Sequence, residues 1–188
     1  MPGDYRIFVG AFPSGDLAER IQALRQRLDP VTARITPPHV TLAGTYWRRG
    51  PATPDNEAAL IARLPGVGVA VAPFALELGG VASFLPHSRV VYLAAAATPT
   101  LLATREALLA AIGRDKHRAF HPHMTLTMRL SQGQTQQALD ELRRTPWHTE
   151  RRQALIDHLW LMLRGPEDAA WRFVYRLELT GRIREESL

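Results

Sequence analysis

Two short segments of the chain pair a histidine with a threonine at the spacing of one strand face. Residues 39–42 read His-Val-Thr-Leu and residues 123–126 read His-Met-Thr-Leu. In an extended strand successive side chains point to opposite faces, so each copy places its His and Thr on one face and its apolar residues on the other. Two chance copies in this composition would arise at roughly one in several hundred. His39, Thr41, His123 and Thr125 are therefore the candidate site residues.

The residue types in these segments suit proton transfer near neutral pH. Imidazole has an ordinary pKa of about 6.5, so it can accept or donate a proton close to pH 7. Two imidazoles that face each other can supply the base that deprotonates water and the acid that protonates a departing oxygen during in-line displacement at phosphorus. Threonine hydroxyls on the same face can donate hydrogen bonds to the developing charge on the phosphate oxygens. This chemistry needs no metal, so we expect no cofactor.

Other interpretations of individual residues stay open. A single histidine beside a core strand is more often a satisfied structural group than a catalyst. His121 and His123 could be two metal ligands on one strand face, although no nearby carboxylate or third histidine in the sequence completes such a site. Phe84, in a loop, could stack on a nucleobase or anchor the loop in the core.

Composition places the chain among ordinary globular proteins. Apolar residues make up 46% and charged residues 22% of its 188 positions, enough for one domain with a sizeable core. No apolar run approaches the roughly 20 residues that span a bilayer, and the first residues lack the basic and apolar regions of a signal peptide. The absence of cysteine excludes disulfides, thiol nucleophiles and thiolate metal sites. We therefore expect a cytoplasmic protein with no membrane partner.

The net charge of +5 comes almost entirely from arginine, since Lys116 is the only lysine. Guanidinium groups bind phosphate in bidentate fashion and basic surfaces attract nucleic acid, which favours an anionic ligand. A solvated, arginine-biased surface explains the charge equally well. The cluster Arg143, Arg144, Arg151 and Arg152 is interpreted as such a solvated face, with contact to an RNA backbone as the less favoured alternative.

Apolar periodicity and turn residues predict alternating strands and helices. Two Thr-Pro pairs, Thr53-Pro54 and Thr98-Pro99, have the residue types of a helix N-cap followed by a first-turn proline. The first of these helices should stop at Pro65, before a strand over residues 69–78. Near the C-terminus, one long strand is predicted over residues 154–163.

The order of these elements indicates an internal duplication. His39 and His123 are 84 positions apart, and the strand cores at Ile7 and Val91 show the same separation. Each half reads strand, helix, His-x-Thr-Leu strand, helix, strand. The period is too long for a solenoid, so we interpret it as two similar lobes related by a pseudo-twofold axis, with the two histidine faces meeting across a cleft.

We therefore predict a single bilobal domain over residues 1–188. Its halves span approximately residues 5–88 and 89–172. A C-terminal strand over residues 171–180 returns to complete one of the lobes. The predicted fold class is α+β, with two antiparallel sheets flanked by helices around a central cleft.

The two motifs with their flanks resemble a known family. Residues 37–42 (Pro-Pro-His-Val-Thr-Leu) and 120–126 (Phe-His-Pro-His-Met-Thr-Leu) are similar to the paired His-x-Thr-x signature of the two-histidine phosphoesterases. The resemblance is to the LigT-like RNA 2',3'-cyclic phosphodiesterases in particular, historically called 2'-5' RNA ligases. It extends over about residues 5–180. Residues 43–45 (Ala-Gly-Thr) depart from the family's usual Phe-Leu-Gly.

The resemblance implies an activity and a set of roles. The activity is metal-independent hydrolysis of 2',3'-cyclic phosphate ends of RNA or nucleotides, leaving a 2'-phosphate. His39 would protonate the leaving oxygen and His123 would activate water, with Thr41, Thr125, Phe84 and Arg129 binding the substrate. Arg129 stands six residues after His123, one more than the family's usual arginine. The expected partner is RNA or a nucleotide with a cyclic phosphate end, and the expected oligomeric state is a monomer.

A hypothesis from another class competes with the enzyme. The same cleft could serve a noncatalytic module that binds RNA or nucleotides, although both intact His-x-Thr pairs count against it. The choice among tRNA halves, 2'-5'-linked oligonucleotides, cyclic ADP-ribose phosphate and mononucleotides is open at the level of sequence.

Overall fold

The computed structural model describes residues 4–116 and 119–181. The helices are α1 (Gly15–Leu28), α2 (Pro30–Ile35), α3 (Ala58–Ile61), α4 (Leu64–Ala70), α5 (Pro99–Ile112), α6 (Gln132–Leu142) and α7 (Pro146–Thr149), with a short 3-10 helix at Pro54–Glu57. The strands are β1 (Tyr5–Ala11), β2 (Val40–Arg48), β3 (Phe74–Ser83), β4 (Val91–Ala95), β5 (His123–Thr127), β6 (Arg152–Ile156), β7 (His158–Arg164) and β8 (Arg172–Glu178). The predicted mixture of helices and antiparallel strands is confirmed.

The strands form one antiparallel sheet in the order β6-β3-β4-β5-β2-β1-β7-β8. The two motif strands, β2 and β5, lie side by side at its centre, joined in register by the pair Val40 and Met124. The expectation of two separate sheets is therefore wrong: the structure has one sheet, whose two four-stranded halves meet at a seam between β2 and β5. Neither the division at residues 88 and 89 nor a pseudo-twofold axis follows from this strand order, and both stay predictions.

One face of the sheet carries the hydrophobic core. Ile7, Leu42, Met124 and Leu126 are fully buried there, in the alternating positions of their strands. Two helices cover this face: α1 packs on β5, and α5 packs on β2. These helices therefore bury the apolar sides of the two motif strands, which leaves the His-x-Thr side of each strand on the opposite face.

Both Thr-Pro pairs begin a helix, but only the second forms a capping hydrogen bond. Thr98 accepts a hydrogen bond from the Leu101 backbone N–H at 3.3 Å, and α5 begins at Pro99 as predicted. Thr53 makes no such cap, and the chain after it forms the 3-10 helix and α3. The predicted stop at Pro65 is wrong, because this proline lies in the first turn of α4, where a missing N–H leaves no hydrogen bond unmade.

Two strand predictions also need correction. The strand predicted from Val69 begins only at Phe74, since α4 extends through Ala70. The single strand predicted over 154–163 is two strands, β6 and β7, that separate at Asp157 and lie at different places in the sheet. Among the described residues, no helix is long and apolar enough to cross a membrane.

Candidate active site

The ring of His39 is fixed by the backbone just before it. Its Nδ1 lies 2.8 Å from the carbonyl oxygen of Pro37. A carbonyl can only accept, so Nδ1 donates, and the lone pair of the neutral ring resides on Nε2. The intervening Pro38 offers no N–H and holds the residue before it in an extended conformation, which presents the Pro37 carbonyl to the ring.

His123 repeats this arrangement in the second motif. Its Nδ1 lies 2.7 Å from the carbonyl oxygen of His121, again across a single proline, Pro122. The neutral ring therefore carries its lone pair on Nε2, as in His39. The proline before each motif histidine thus helps to select the same tautomer in both rings.

The strand register brings the two motifs together. Val40 is paired with Met124 in antiparallel register, and paired residues of such strands project to the same face. One step along each strand places His39 beside Thr125 and Thr41 beside His123. Each histidine is therefore a neighbour of the other motif's threonine, on the face opposite the core.

Aromatic rings shield His39. It stacks on Phe8 at 4.8 Å and on Phe12 at 5.1 Å between ring centroids. Burial disfavours the charged imidazolium and, with the nearby charges of Arg25 and His123, lowers the pKa of His39 to about 4, although the bond to Pro37 opposes this change. In the unliganded protein at pH 7, His39 is neutral.

His123 has its own aromatic neighbours. Phe84 meets its ring edge-on at 4.9 Å, and Tyr92 lies at 5.1 Å. Phe84 and Tyr92 also contact each other at 4.5 Å. Tyr92 stands 84 positions after Phe8, so the same spacing that relates the histidines relates one aromatic neighbour of each.

A cavity of about 580 Å³ opens beside His123, within the size range of small-ligand sites. Of the residues named from sequence, Thr41, Phe84, His121 and His123 line it, whereas His39, Thr125 and Arg129 do not. Arg129 is exposed just after β5, and its backbone N–H donates to Asp29 Oδ2 at 2.8 Å. The structure thus brings His123, Thr41 and Phe84 to one cavity.

Arg105 and Asp115 also line this cavity and escaped the sequence analysis. Arg105 Nη1 lies 2.9 Å from Asp115 Oδ2 and also donates to the carbonyl of Leu42 in β2. Asp115 Oδ2 accepts a hydrogen bond from the Gly44 backbone N–H at 3.4 Å. Together they tie the second half of the chain to β2 just beyond Thr41.

A signal for Arg105 was present in the sequence. Leu101, Arg105, Leu108 and Ile112 follow one another at three- and four-residue steps, so the arginine lies on the apolar stripe of α5. A charged residue on such a stripe needs a buried partner. The position of Arg105 on this stripe therefore indicates that its guanidinium binds a partner inside the protein.

A second buried network positions the motif strands from behind. Arg25 Nη1 donates to the carbonyl of Thr36 at 2.8 Å, immediately before the Pro-Pro-His segment. Asp29 caps α2 and accepts from the backbone N–H groups of Met128 and Arg129 at 2.9 and 2.8 Å. Burial opposes ionisation of Asp29, but its hydrogen bonds outweigh this and lower its pKa. The corner between α1 and α2 is thereby tied to both motif strands.

Among residues 4–116 and 119–181, no group of three His, Cys, Asp or Glu side chains is placed to hold a metal ion. His148, another histidine of this chain, has a structural partner, since its Nδ1 accepts from the Val81 backbone N–H at 3.0 Å. Metal-independent chemistry stays a prediction that requires a direct test.

Comparison with known proteins places this chain in a family. A model of the 2'-5' RNA ligase superfamily matches residues 13–168. The chain belongs to the 2'-5' RNA ligase superfamily. A Bacillus anthracis protein provisionally named a phosphoesterase is 30% identical over 141 residues, which cover 74% of this chain and 78% of that protein. The resemblance drawn from the two His-x-Thr segments is confirmed.

Solved structures show the same fold. Escherichia coli LigT in complex with NADP+ has a TM-score of 0.64 at 21% identity, covering 95% of this chain and 99% of LigT. TT0787 of Thermus thermophilus has a TM-score of 0.65 at 19% identity, covering 95% of this chain and 100% of that one. LigT has also been crystallised with ATP and with 3'-AMP. This superfamily member therefore has a LigT-like fold.

The shielding of His39 predicts a low pKa for its imidazole in the free protein. NMR titration of the free protein should place the pKa of His39 near 4. A nucleoside 2'-phosphate bound beside the ring should raise this pKa, because the anion stabilises the imidazolium. By linkage, affinity for the ligand should fall as pH rises through the window between the free and bound pKa values. A His39 resonance that titrates identically with and without ligand would show that the anion does not bind beside it.

Proposed function

We propose that this protein hydrolyses 2',3'-cyclic phosphate ends of RNA or nucleotides to 2'-phosphates without a metal. The observation that carries the proposal is the position of His39 and His123 at the starts of adjacent motif strands, with the same tautomer fixed in both rings by a carbonyl two residues earlier. Two such imidazoles can serve as general acid and general base. Membership of the 2'-5' RNA ligase superfamily supports this choice of chemistry.

The proposed reaction is an in-line displacement at phosphorus. His123 Nε2 accepts a proton from water as the water oxygen attacks the phosphorus. The bond from phosphorus to the ribose O3' breaks, and His39 Nε2 donates a proton to that oxygen, which leaves the phosphate on O2'. Because His39 is neutral in the free protein, this role requires that it gain its proton when the anionic substrate binds.

Neighbouring side chains have supporting roles in the proposal. Thr41 and Thr125 donate hydroxyl hydrogen bonds to the non-bridging phosphate oxygens, where charge increases in the transition state. Phe84 lines the cavity next to His123 and offers a face to the terminal base. Arg129 contributes positive charge from just beyond β5.

The direct test is incubation with nucleoside 2',3'-cyclic monophosphates and with a short RNA that ends in a cyclic phosphate. We expect hydrolysis to a 2'-phosphate at a rate that excess EDTA does not reduce, because the imidazoles perform the proton transfers for which a metal is otherwise used. Activity that is lost on chelation and restored by zinc would contradict the mechanism. Tight binding of the RNA end without turnover would instead support the noncatalytic binding module.

A further inference from the structure

The sheet face that carries His39 continues beyond it as a connected series of aromatic and arginine side chains. Phe8, which stacks on His39, meets Trp171 edge-on at 4.7 Å. The guanidinium of Arg6 lies over Trp171 at 5.4 Å and over Trp47 at 5.3 Å. Arg6 and Phe8 alternate with core residues along β1, so this series lies on the site face of the sheet.

The outer members of this series are poorly explained by core packing. Trp47 is 60% exposed, and Phe173, which contacts Phe12 at 5.2 Å, is 46% exposed. Single exposed apolar side chains are common on protein surfaces. Here, however, the exposed Trp47 contacts Arg6, which also contacts Trp171, and Trp171 is joined through Phe8 to the candidate catalytic His39.

Positive charge accumulates along the same face. Arg6 is paired with Arg164 across β1 and β7, so the two side chains project from the same face, and burial together with the charges of Arg164 and Arg129 lowers the pKa of Arg6. Within residues 4–116 and 119–181, no carboxylate forms an ion pair within 4.0 Å of any of the three. Clustered arginines beside aromatic faces are complementary to phosphates that alternate with unpaired bases.

We propose that Arg6, Trp47, Arg164 and Trp171, here named the tryptophan strip, bind the single-stranded RNA that leads to the cyclic phosphate. This inference rests on the proposed function and adds the substrate class: an oligonucleotide rather than a mononucleotide. Bases stack on Trp47 and Trp171, while Arg6 and Arg164 contact phosphates. Unpaired bases are required, because a duplex does not offer its base faces to aromatic side chains.

The length of the strip supports this substrate class. Between Val40 and Trp47, β2 lies opposite Arg6–Ala11 of β1, which is five steps of about 3.3 Å, so Trp47 lies roughly 17 Å from the start of β2 beside His39. A single nucleotide held at His39 does not reach that distance. A ligand that contacts both residues must therefore contain several nucleotides.

The test compares two substrates in matched variants. Trp47→Ala and Arg6→Gln should each lower kcat/KM for a ten-nucleotide RNA with a cyclic phosphate end about 10-fold, as expected for one lost stacking or phosphate contact. The rate for a cyclic mononucleotide should change less than about 2-fold, since it leaves the strip empty. Controls are Leu155→Ala, an exposed apolar residue on β6, and Arg63→Gln, an exposed arginine between α3 and α4.

Binding measurements separate this inference from the proposed function. By fluorescence anisotropy, RNA affinity should fall with salt, and the log-log slope should be shallower by about 0.7 in Arg6→Gln. Strip-dependent RNA binding by a protein that hydrolyses nothing would support the strip and refute the enzyme. Hydrolysis of both substrates with no selective effect of Trp47→Ala would refute the strip alone. Equal affinity for a duplex of the same length would also overturn it.

Discussion

His39→Ala and His123→Ala should each reduce kcat/KM for a cyclic phosphate substrate by on the order of 10²-fold or more. Each removes one of the two groups that transfer protons during a single displacement. The double variant should be little worse than the more damaged single variant, because groups that act as one unit are not additive. Steady-state rates of the three variants, measured with one substrate at one pH, test this expectation.

The controls distinguish proton transfer from simple loss of packing. Thr41→Ala and Thr125→Ala should cost less than either histidine change, since each removes one hydrogen bond and leaves both imidazoles in place. His158→Ala removes an imidazole that is bonded to Asp157 at the start of β7 rather than placed on a motif strand, and it should retain near wild-type activity. Near wild-type hydrolysis by His39→Ala or by His123→Ala would refute the mechanism.

A modified substrate assigns the roles within the pair. If the leaving group needs no proton, loss of the acid should matter little while loss of the base should remain severe. We therefore expect His39→Ala to recover most of its activity on such a substrate and His123→Ala to stay slow. Recovery by His123→Ala instead would reverse the two roles.

The parts of the site that could be predicted from sequence are those encoded by strand periodicity. The alternation of His and Thr with apolar residues placed the motifs on one face, and the repeated pattern indicated that the two copies belong together. The structure pairs Val40 with Met124, as two such strands at the centre of one sheet require. Tyr92, the aromatic neighbour of His123, could also have been predicted, because it follows Phe8 by the same 84 positions that separate the two histidines.

Other features depend on contacts between segments far apart in sequence. The bond from Arg105 to the Leu42 carbonyl joins residues 63 positions apart, and Asp29 meets residues about 100 positions later. The stacking of Phe12 on His39 depends on the register of β1 with β2, in which Ala11 is paired with Val40, and apolar periodicity does not encode that register. The single sheet is another such feature, since Val40 and Met124, 84 positions apart in sequence, are paired where its two halves meet.

The shielding of His39 by Phe8 and Phe12 also affects the stability of the protein. Its pKa is about 4 in the folded protein, against about 6.5 for an exposed histidine in the unfolded chain. The unfolded state therefore binds a proton more readily, so acid favours unfolding. This contribution to stability is fully present above pH 6.5 and is lost as pH falls from about 6.5 to 4.

Replacing His39 by glutamine should remove this acid sensitivity, because the amide can still donate to the Pro37 carbonyl but does not titrate. Between pH 7.5 and 4.5, the free energy of unfolding of the wild type should fall by on the order of 2.5 kcal/mol more than that of His39→Gln. Urea unfolding at a series of pH values measures both. Between pH 7.5 and 8.5 the difference between the two proteins should be constant, since residue 39 titrates there in neither state. Parallel curves down to pH 4.5 would mean that Phe8 and Phe12 do not shield the ring, and with that the requirement for proton uptake on substrate binding would disappear.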